Sequence, residues 1–171
     1  MRSIVVILIL LLPLISAAQN PDGFGGMIDR MVKGTVPYIS SDGLQSINDS
    51  EVYILDTREK EEYEVGHLPN AVYVGYKDLD DDYLTSIPKG ATIVTYCSIG
   101  YRSEKVGLKL MSMGHDKVFN LKGGIFDWVN NGNQLEDGAS SVHGYNKKWS
   151  KWVNPDKIQV VTRPTEQLIA E

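Results

Sequence analysis

ATIVTYCSIGYRSEKVGLKLMSMG, residues 91–114, runs a strand, a loop and a helix together without a break. The short apolar run at 91–97 reads as a strand. In the segment 101–113, Val106, Leu110 and Met113 recur at helical spacing, so one face of that helix should lie against a sheet, and Gly114 stops it. Between the two stands Cys97, the only cysteine of the chain, followed by a tight loop containing Gly100 and a helix beginning near Tyr101 to Ser103. In an open parallel sheet ligands gather at the carboxyl ends of the strands, and Cys97 occupies such an end.

Working outward, the same alternation recurs. VPYIS precedes SDGLQSI, EVYILDT precedes REKEEYEV, AVYVGY precedes KDLDDDYLTSI, and KVFNL precedes GIFDWVNN. With the central stretch this makes five strands alternating with five helices, which predicts an α/β fold with a five-stranded parallel sheet flanked by helices on both faces. Gly66 is expected as a left-handed cap, and PKG at 88–90 turns the chain into the fourth strand. No internal repeat is present. The folded domain is expected at 36–132. Residues 19–35, rich in Gly, Pro and polar residues, read as a flexible leader with a short helix at Met27 to Val32, and 133–171 as a C-terminal extension with a loose end.

With 171 residues and 42% hydrophobic content, the chain can bury the core of one domain. Residues 1–18 carry Arg2, an unbroken apolar run from Ile4 to Leu12, and Ser16 and Ala18 in small-x-small spacing. That pattern reads as a secretory signal peptide rather than an uncleaved membrane anchor, with cleavage expected after Ala18. The run is broken by Pro13 and falls short of the roughly 20 apolar residues of a spanning helix, so no membrane association is expected after cleavage. The protein is therefore expected to be exported: periplasmic in a bacterium, secreted otherwise. A net charge of −5 argues against nucleic acid as a partner. One cysteine closes no bridge within the chain, and a leftover thiol in an oxidising compartment is either buried and inert or kept for chemistry.

The loop after Cys97 favours chemistry. Backbone N–H groups of the loop and the first helical turn should converge on whatever the sulfur carries, an anion-binding arrangement. A free cysteine has a pKa near about 8.5, so only about 3% is thiolate at pH 7. A helix terminus contributes up to roughly 2 kcal/mol, about 1.5 pKa units. The Arg102 guanidinium, near the same loop, is the obvious source of further stabilisation.

CSIGYRS resembles the active-site loop of the rhodanese sulfurtransferases. Within residues 36–132, LDTREKEEYEVGHLPNAVYV is similar to that family's first signature, with its Asp-x-Arg pair and Gly-His-x-Pro segment, and LKGGIFDW to its closing Gly-Gly-x-x-x-Trp element. The resemblance implies the five-stranded rhodanese sheet and a two-step transfer. Cys97 as thiolate takes the outer sulfur of a donor such as thiosulfate, and a thiol or cyanide acceptor removes it from the persulfide. No metal or organic cofactor is implied. By the same resemblance Ser98, Ile99, Gly100, Tyr101, Arg102 and Ser103 form the anion-binding loop, while Asp56 and Arg58 support it by fixing strand ends. Ser98 stands where many thiosulfate-using relatives carry a basic residue, which makes a persulfide or polysulfide donor an alternative.

Other features are read as structural. Asp78, Asp80 and Asp82 start like a calcium loop, but Tyr83 and Lys89 occupy the positions that require Gly and Glu, so a solvated acidic helix start is expected. His67, His115 and His143 share no ligand spacing; His67 is expected in a structural turn and His115 exposed. NDS at 48–50 is a glycosylation sequon, meaningful only in a eukaryotic source. Tyr145, Trp149 and Trp152 are expected on one helical face that packs on the domain, with docking of a protein partner or a lid over the site as the sharper reading. Two other functions compete. Rhodanese-related dual-specificity phosphatases have five residues between Cys and Arg, against Ser98, Ile99, Gly100 and Tyr101 here. Non-catalytic binding modules of the family typically lack the cysteine.

Overall fold

The computed structural model of the protein describes residues 23–48 and 52–162. The expected signal segment and cleavage point, most of the sequon and the chain end lie outside the described residues. The strands are β1 (Tyr38–Ile39), β2 (Val52–Asp56), β3 (Ala71–Tyr73), β4 (Thr92–Tyr96), β5 (Val118–Leu121), β6 (Ser141–His143) and β7 (Gln159–Val161). The helices are α1 (Phe24–Met31), α2 (Ser41–Gln45), α3 (Lys60–Val65), α4 (Asp81–Ser86), α5 (Tyr101–Ser112), α6 (Gly124–Asn130) and α7 (Lys147–Ser150).

β1 to β5 form one parallel sheet in the order β1-β5-β4-β2-β3. Successive residues of a strand face opposite sides, and the two cores follow that period of two. Leu55 and Ile93 pack with Val106 and Leu110 of α5 and Leu84 of α4. Ile54, Val94 and Tyr96 face the other side, against Ile28 of α1, Leu44 of α2 and Phe126 of α6. The central strand, β4, is paired on both sides, so the residue that follows it is held more firmly than any loop at a sheet edge.

Several local expectations change. α3 starts at Lys60 rather than at Arg58, because Glu59 caps it and the Glu62 carboxylate accepts the Glu59 N–H at 3.1 Å. Asp80 caps α4 through the Tyr83 N–H, the acidic helix start that was expected. Gly114 has the left-handed φ of +91° that a helix stop needs. Gly66 does not: its φ is 165°, and what demands glycine is space, since a Cβ would lie 2.5 Å from the Ser141 carbonyl oxygen. His115, expected at the surface, is buried, with its Nε2 3.3 Å from the Lys89 ammonium.

The described segments on either side of the expected domain, 23–35 and 133–162, are packed more closely than their composition suggests. In the segment read as a flexible leader, α1 buries Met27 and Ile28, and Val32 follows them into the core. Beyond residue 132, Leu135, Val142 and Val153 join the same core, and β6 pairs in parallel with β7 as a second, small sheet. Tyr145, Trp149 and Trp152 do not share a helical face, because α7 is only four residues long and Tyr145 precedes it with φ +64°. Trp152 packs against Phe24 of α1 with ring centroids 5.9 Å apart, and its carbonyl accepts a 2.8 Å hydrogen bond from Asn130.

Candidate active site

Cys97 emerges from the carboxyl end of β4 and is almost wholly buried, 1% exposed. Its Sγ accepts the Gly100 N–H at 3.2 Å, and Gly100 takes a φ of +101° to turn the chain into α5. The loop is tied from both sides. From β5, Asn120 donates to the Gly100 carbonyl at 2.9 Å and accepts from the Ser103 hydroxyl at 2.8 Å. From α6, the Ile125 N–H donates to the Cys97 carbonyl at 2.9 Å and the Phe126 N–H to the Ser98 carbonyl at 3.2 Å. Gly124 makes this second clamp possible: a Cβ on it would come within 2.2 Å of the Cys97 carbonyl oxygen.

Burial disfavours the Cys97 thiolate. The Arg102 charge, followed by the Ser103 and Ile99 N–H groups, outweighs that penalty and holds the pKa below its ordinary value. Arg102 is not a free cation, however. Its Nη1 and Nη2 donate to the two oxygens of Glu62 at 2.6 and 2.8 Å, and Nη2 also donates to the Ser98 hydroxyl at 3.0 Å. Ser98 in turn donates to Glu62 at 3.1 Å. Burial would raise the Glu62 pKa, but the Arg102 fork holds it below the usual carboxylate range. On the outer side the Tyr145 ring covers the Arg102 guanidinium at 5.2 Å, and the Tyr145 N–H donates to His143 Nδ1 at 3.1 Å.

Asp56 and Arg58 lie behind the loop and make no contact with the sulfur. Both side chains are fully buried, and the Arg58 Nη2 donates to Asp56 at 2.6 Å and to the Gly66 carbonyl at 2.8 Å. Asp56 also accepts from the Tyr96 hydroxyl at 2.6 Å, and that hydroxyl accepts the Leu68 N–H. The group joins the ends of β2 and β4 to the Gly-His-x-Pro turn.

A cavity of about 450 Å³ opens over Cys97. Ser98, Ile99, Tyr101 and Arg102 line the cavity; Gly100 and Ser103 are buried and do not line it. The remaining wall comes from parts of the chain that the loop motif does not mention: Met31 of α1, Glu59, Tyr76 and Lys77, and Tyr145 and Trp149 of the tail. Glu62 is the main residue that sequence reasoning missed. Its only local signal was the capping-box spacing from Glu59, which announces a helix start and says nothing of Arg102.

A parallel five-stranded sheet with a cysteine loop closing its central strand is a recognisable class of structure, and the comparisons with known proteins agree. The family model described as Rhodanese-like domain matches residues 41–131, and the chain belongs to that family. A solution structure of the rhodanese-like domain of an Anabaena protein superposes with a TM-score of 0.54 at 28% identity, covering 58% of this chain and 78% of that one. A thiosulfate sulfurtransferase from Pseudomonas aeruginosa shares the fold with a TM-score of 0.53 at 23% identity, over 67% of this chain and 22% of that one. Among curated relatives, a tRNA uridine(34) hydroxylase from Onion yellows phytoplasma is 38% identical over 90 residues, 50% of this chain. The chain spans 29% of that relative's length.

Proposed function

We propose that this protein is a sulfurtransferase that carries a sulfane sulfur on Cys97. The observation that supports the reading best is the sulfur itself: at the floor of a cavity, accepting the Gly100 N–H at the start of α5, with its pKa depressed. The Cys97 thiolate attacks the outer sulfur of a donor such as thiosulfate or a polysulfide. The donor S–S bond breaks, sulfite or a shortened polysulfide leaves with the bonding pair, and a Cys97 persulfide remains. The loop N–H groups face the anion in both states. A thiolate or cyanide acceptor then takes the outer sulfur and returns Cys97 as thiolate.

The activity named for the phytoplasma relative belongs to a protein of which this chain matches 29%, and a net charge of −5 works against binding RNA phosphates. A phosphatase reading is disfavoured by loop length: four residues, Ser98, Ile99, Gly100 and Tyr101, separate Cys97 from Arg102, against the five of the related phosphatases. Treatment with thiosulfate or polysulfide should leave Cys97 heavier by about 32 Da, reversibly on adding cyanide or a thiol. Cys97→Ser should lose both the adduct and turnover. Sulfur transfer by the serine variant at the wild-type rate would overturn the mechanism. Export is part of the same proposal, and amino-terminal sequencing of protein from its native source should begin at Gln19; an intact Met1 would contradict it.

A further inference from the structure

We propose that the cavity over Cys97 selects a small organic thiol and its persulfide, with an apolar and preferably aromatic body, over inorganic dianions such as thiosulfate. The inference rests on the sulfurtransferase reading and concerns what the same site accepts.

Charge argues first. The cations that line the cavity are Arg102 and Lys77, and each faces a carboxylate: Arg102 the buried Glu62 at 2.6 Å, Lys77 the Glu59 side chain at 3.8 Å. With Cys97 ionised, the thiolate, Arg102 and Glu62 together carry one net negative charge. A dianion entering this floor is repelled, and the site is shielded from bulk water enough for that repulsion to count. The exposed Lys105 ammonium stands 4.7 Å over the Tyr101 ring and 6.0 Å from that of Tyr76, outside the lining, where salt screens it.

Shape and polarity argue second. Met31, Tyr76, Tyr101, Tyr145 and Trp149 surround the opening. Five large apolar side chains are exposed among the described residues, and three of them, Met31, Tyr101 and Tyr145, stand on this rim. Such a cluster is an interaction site rather than scattered surface. A volume of about 450 Å³ suits a small molecule with a ring, and is far larger than thiosulfate requires.

The exchange balances without a further reagent. The Cys97 thiolate and R–S–SH give the Cys97 persulfide anion and R–SH: the S–S bond of the donor breaks, one forms to Cys97, and the persulfide proton ends on the departing thiol. The reverse direction passes the sulfur to an acceptor thiol.

Protein loaded with inorganic polysulfide and showing the added sulfur by mass spectrometry is mixed with phenylmethanethiol or with 2-mercaptoethanesulfonate, two thiols of similar basicity. Loss of the adduct with time gives the second-order rate for each. The aromatic thiol should discharge Cys97 about ten-fold faster or more, the gain expected from burying a ring. Trp149→Ala and the half-exposed Tyr145→Ala should each bring the ratio of the two rates toward one, and Trp149→Phe should keep most of it. An adduct discharged as fast by the sulfonate, or a ratio that both alanine variants leave in place, would overturn this inference while leaving the sulfurtransferase reading intact. Thiosulfate loading Cys97 as fast as the persulfide of phenylmethanethiol would overturn this inference alone, and failure of polysulfide, thiosulfate and that persulfide all to load Cys97 would overturn both.

Discussion

Arg102 and Glu62 set the charge at the sulfur as a pair, and their effects on Cys97 oppose. Arg102→Ala removes the leading influence that lowers the Cys97 pKa, so iodoacetamide alkylation should need a higher pH than in the wild type. The same change leaves Glu62, 4% exposed, without its partner, and should cost about 3 kcal/mol in chemical denaturation. Glu62→Gln should do the reverse at the sulfur, freeing the guanidinium and moving the alkylation profile to lower pH. Profiles that coincide in all three proteins would show that neither side chain governs the thiolate. Glu62 also contributes to acid sensitivity. Its folded pKa lies below the unfolded value of about 4.3, so its contribution is complete above that pH and is lost as pH falls through the folded value. The acid limb of Tm against pH should accordingly be shallower in Glu62→Gln.

At the scale of elements, the Cys97 loop is a junction of β4, β5, α5 and α6. Asn120 of β5 and the Ile125 and Phe126 N–H groups of α6 hold the loop by hydrogen bonds, and a Cβ added at Gly124 would meet the Cys97 carbonyl oxygen. Gly124 has a φ of +58°, so alanine there meets both an unfavourable backbone conformation and the carbonyl oxygen. Gly124→Ala should lower stability by about 2–4 kcal/mol and slow persulfide formation, because the α6 clamp must withdraw from the loop. Wild-type stability and rate in that variant would show that the clamp is not tight. Gly114 makes a useful contrast. It is also left-handed, at φ +91°, but nothing lies within 4 Å of its added Cβ, so Gly114→Ala should cost only about 1 kcal/mol and leave transfer unchanged.

Over the whole molecule, α1 and the segment after residue 143 meet each other and close one side of the site. Phe24 of α1 packs on Trp152, and Met31 of the same helix faces the cavity that Tyr145 and Trp149 also line. Trp149 and Trp152 both pack against the core, and of the two only Trp149 also lines the cavity. Trp152→Ala should lower stability by about 2–3 kcal/mol through lost packing, with Tm falling while the ratio of aromatic to sulfonate thiol rates holds. Trp149→Ala should move that ratio as well as lower Tm, so the ratio is the readout that separates the two variants. Deleting residues 143–171 removes β7 and Val153 from the shared core, and should lower stability more than either substitution. Equal melting of the truncated and full chains would mean that the tail does not support the domain.

Much of the fold was legible because its signals are local. Residues 91–114 state a strand, a loop and a helix through the period of two, the period of 3.6 and glycine at the turns, and the same signals recur in each of the other strand-helix pairs. The loop around Cys97 was legible for the same reason, being one contiguous segment whose N–H groups must follow its turn. Glu62 was not, since it lies 40 residues from Arg102 and meets it only because β2 and β4 are neighbours in the sheet. The packing of the leader helix and the tail was hidden too: gaps in periodicity and a polar composition look the same whether a segment is loose or folded back. What residues 91–114 determined was a cysteine at the carboxyl end of a strand, poised at a helix start. The tertiary structure alone decided which carboxylate shares its arginine and which aromatic rings surround its opening, because contacts between distant segments obey no sequence period and depend on which surfaces the sheet order brings together.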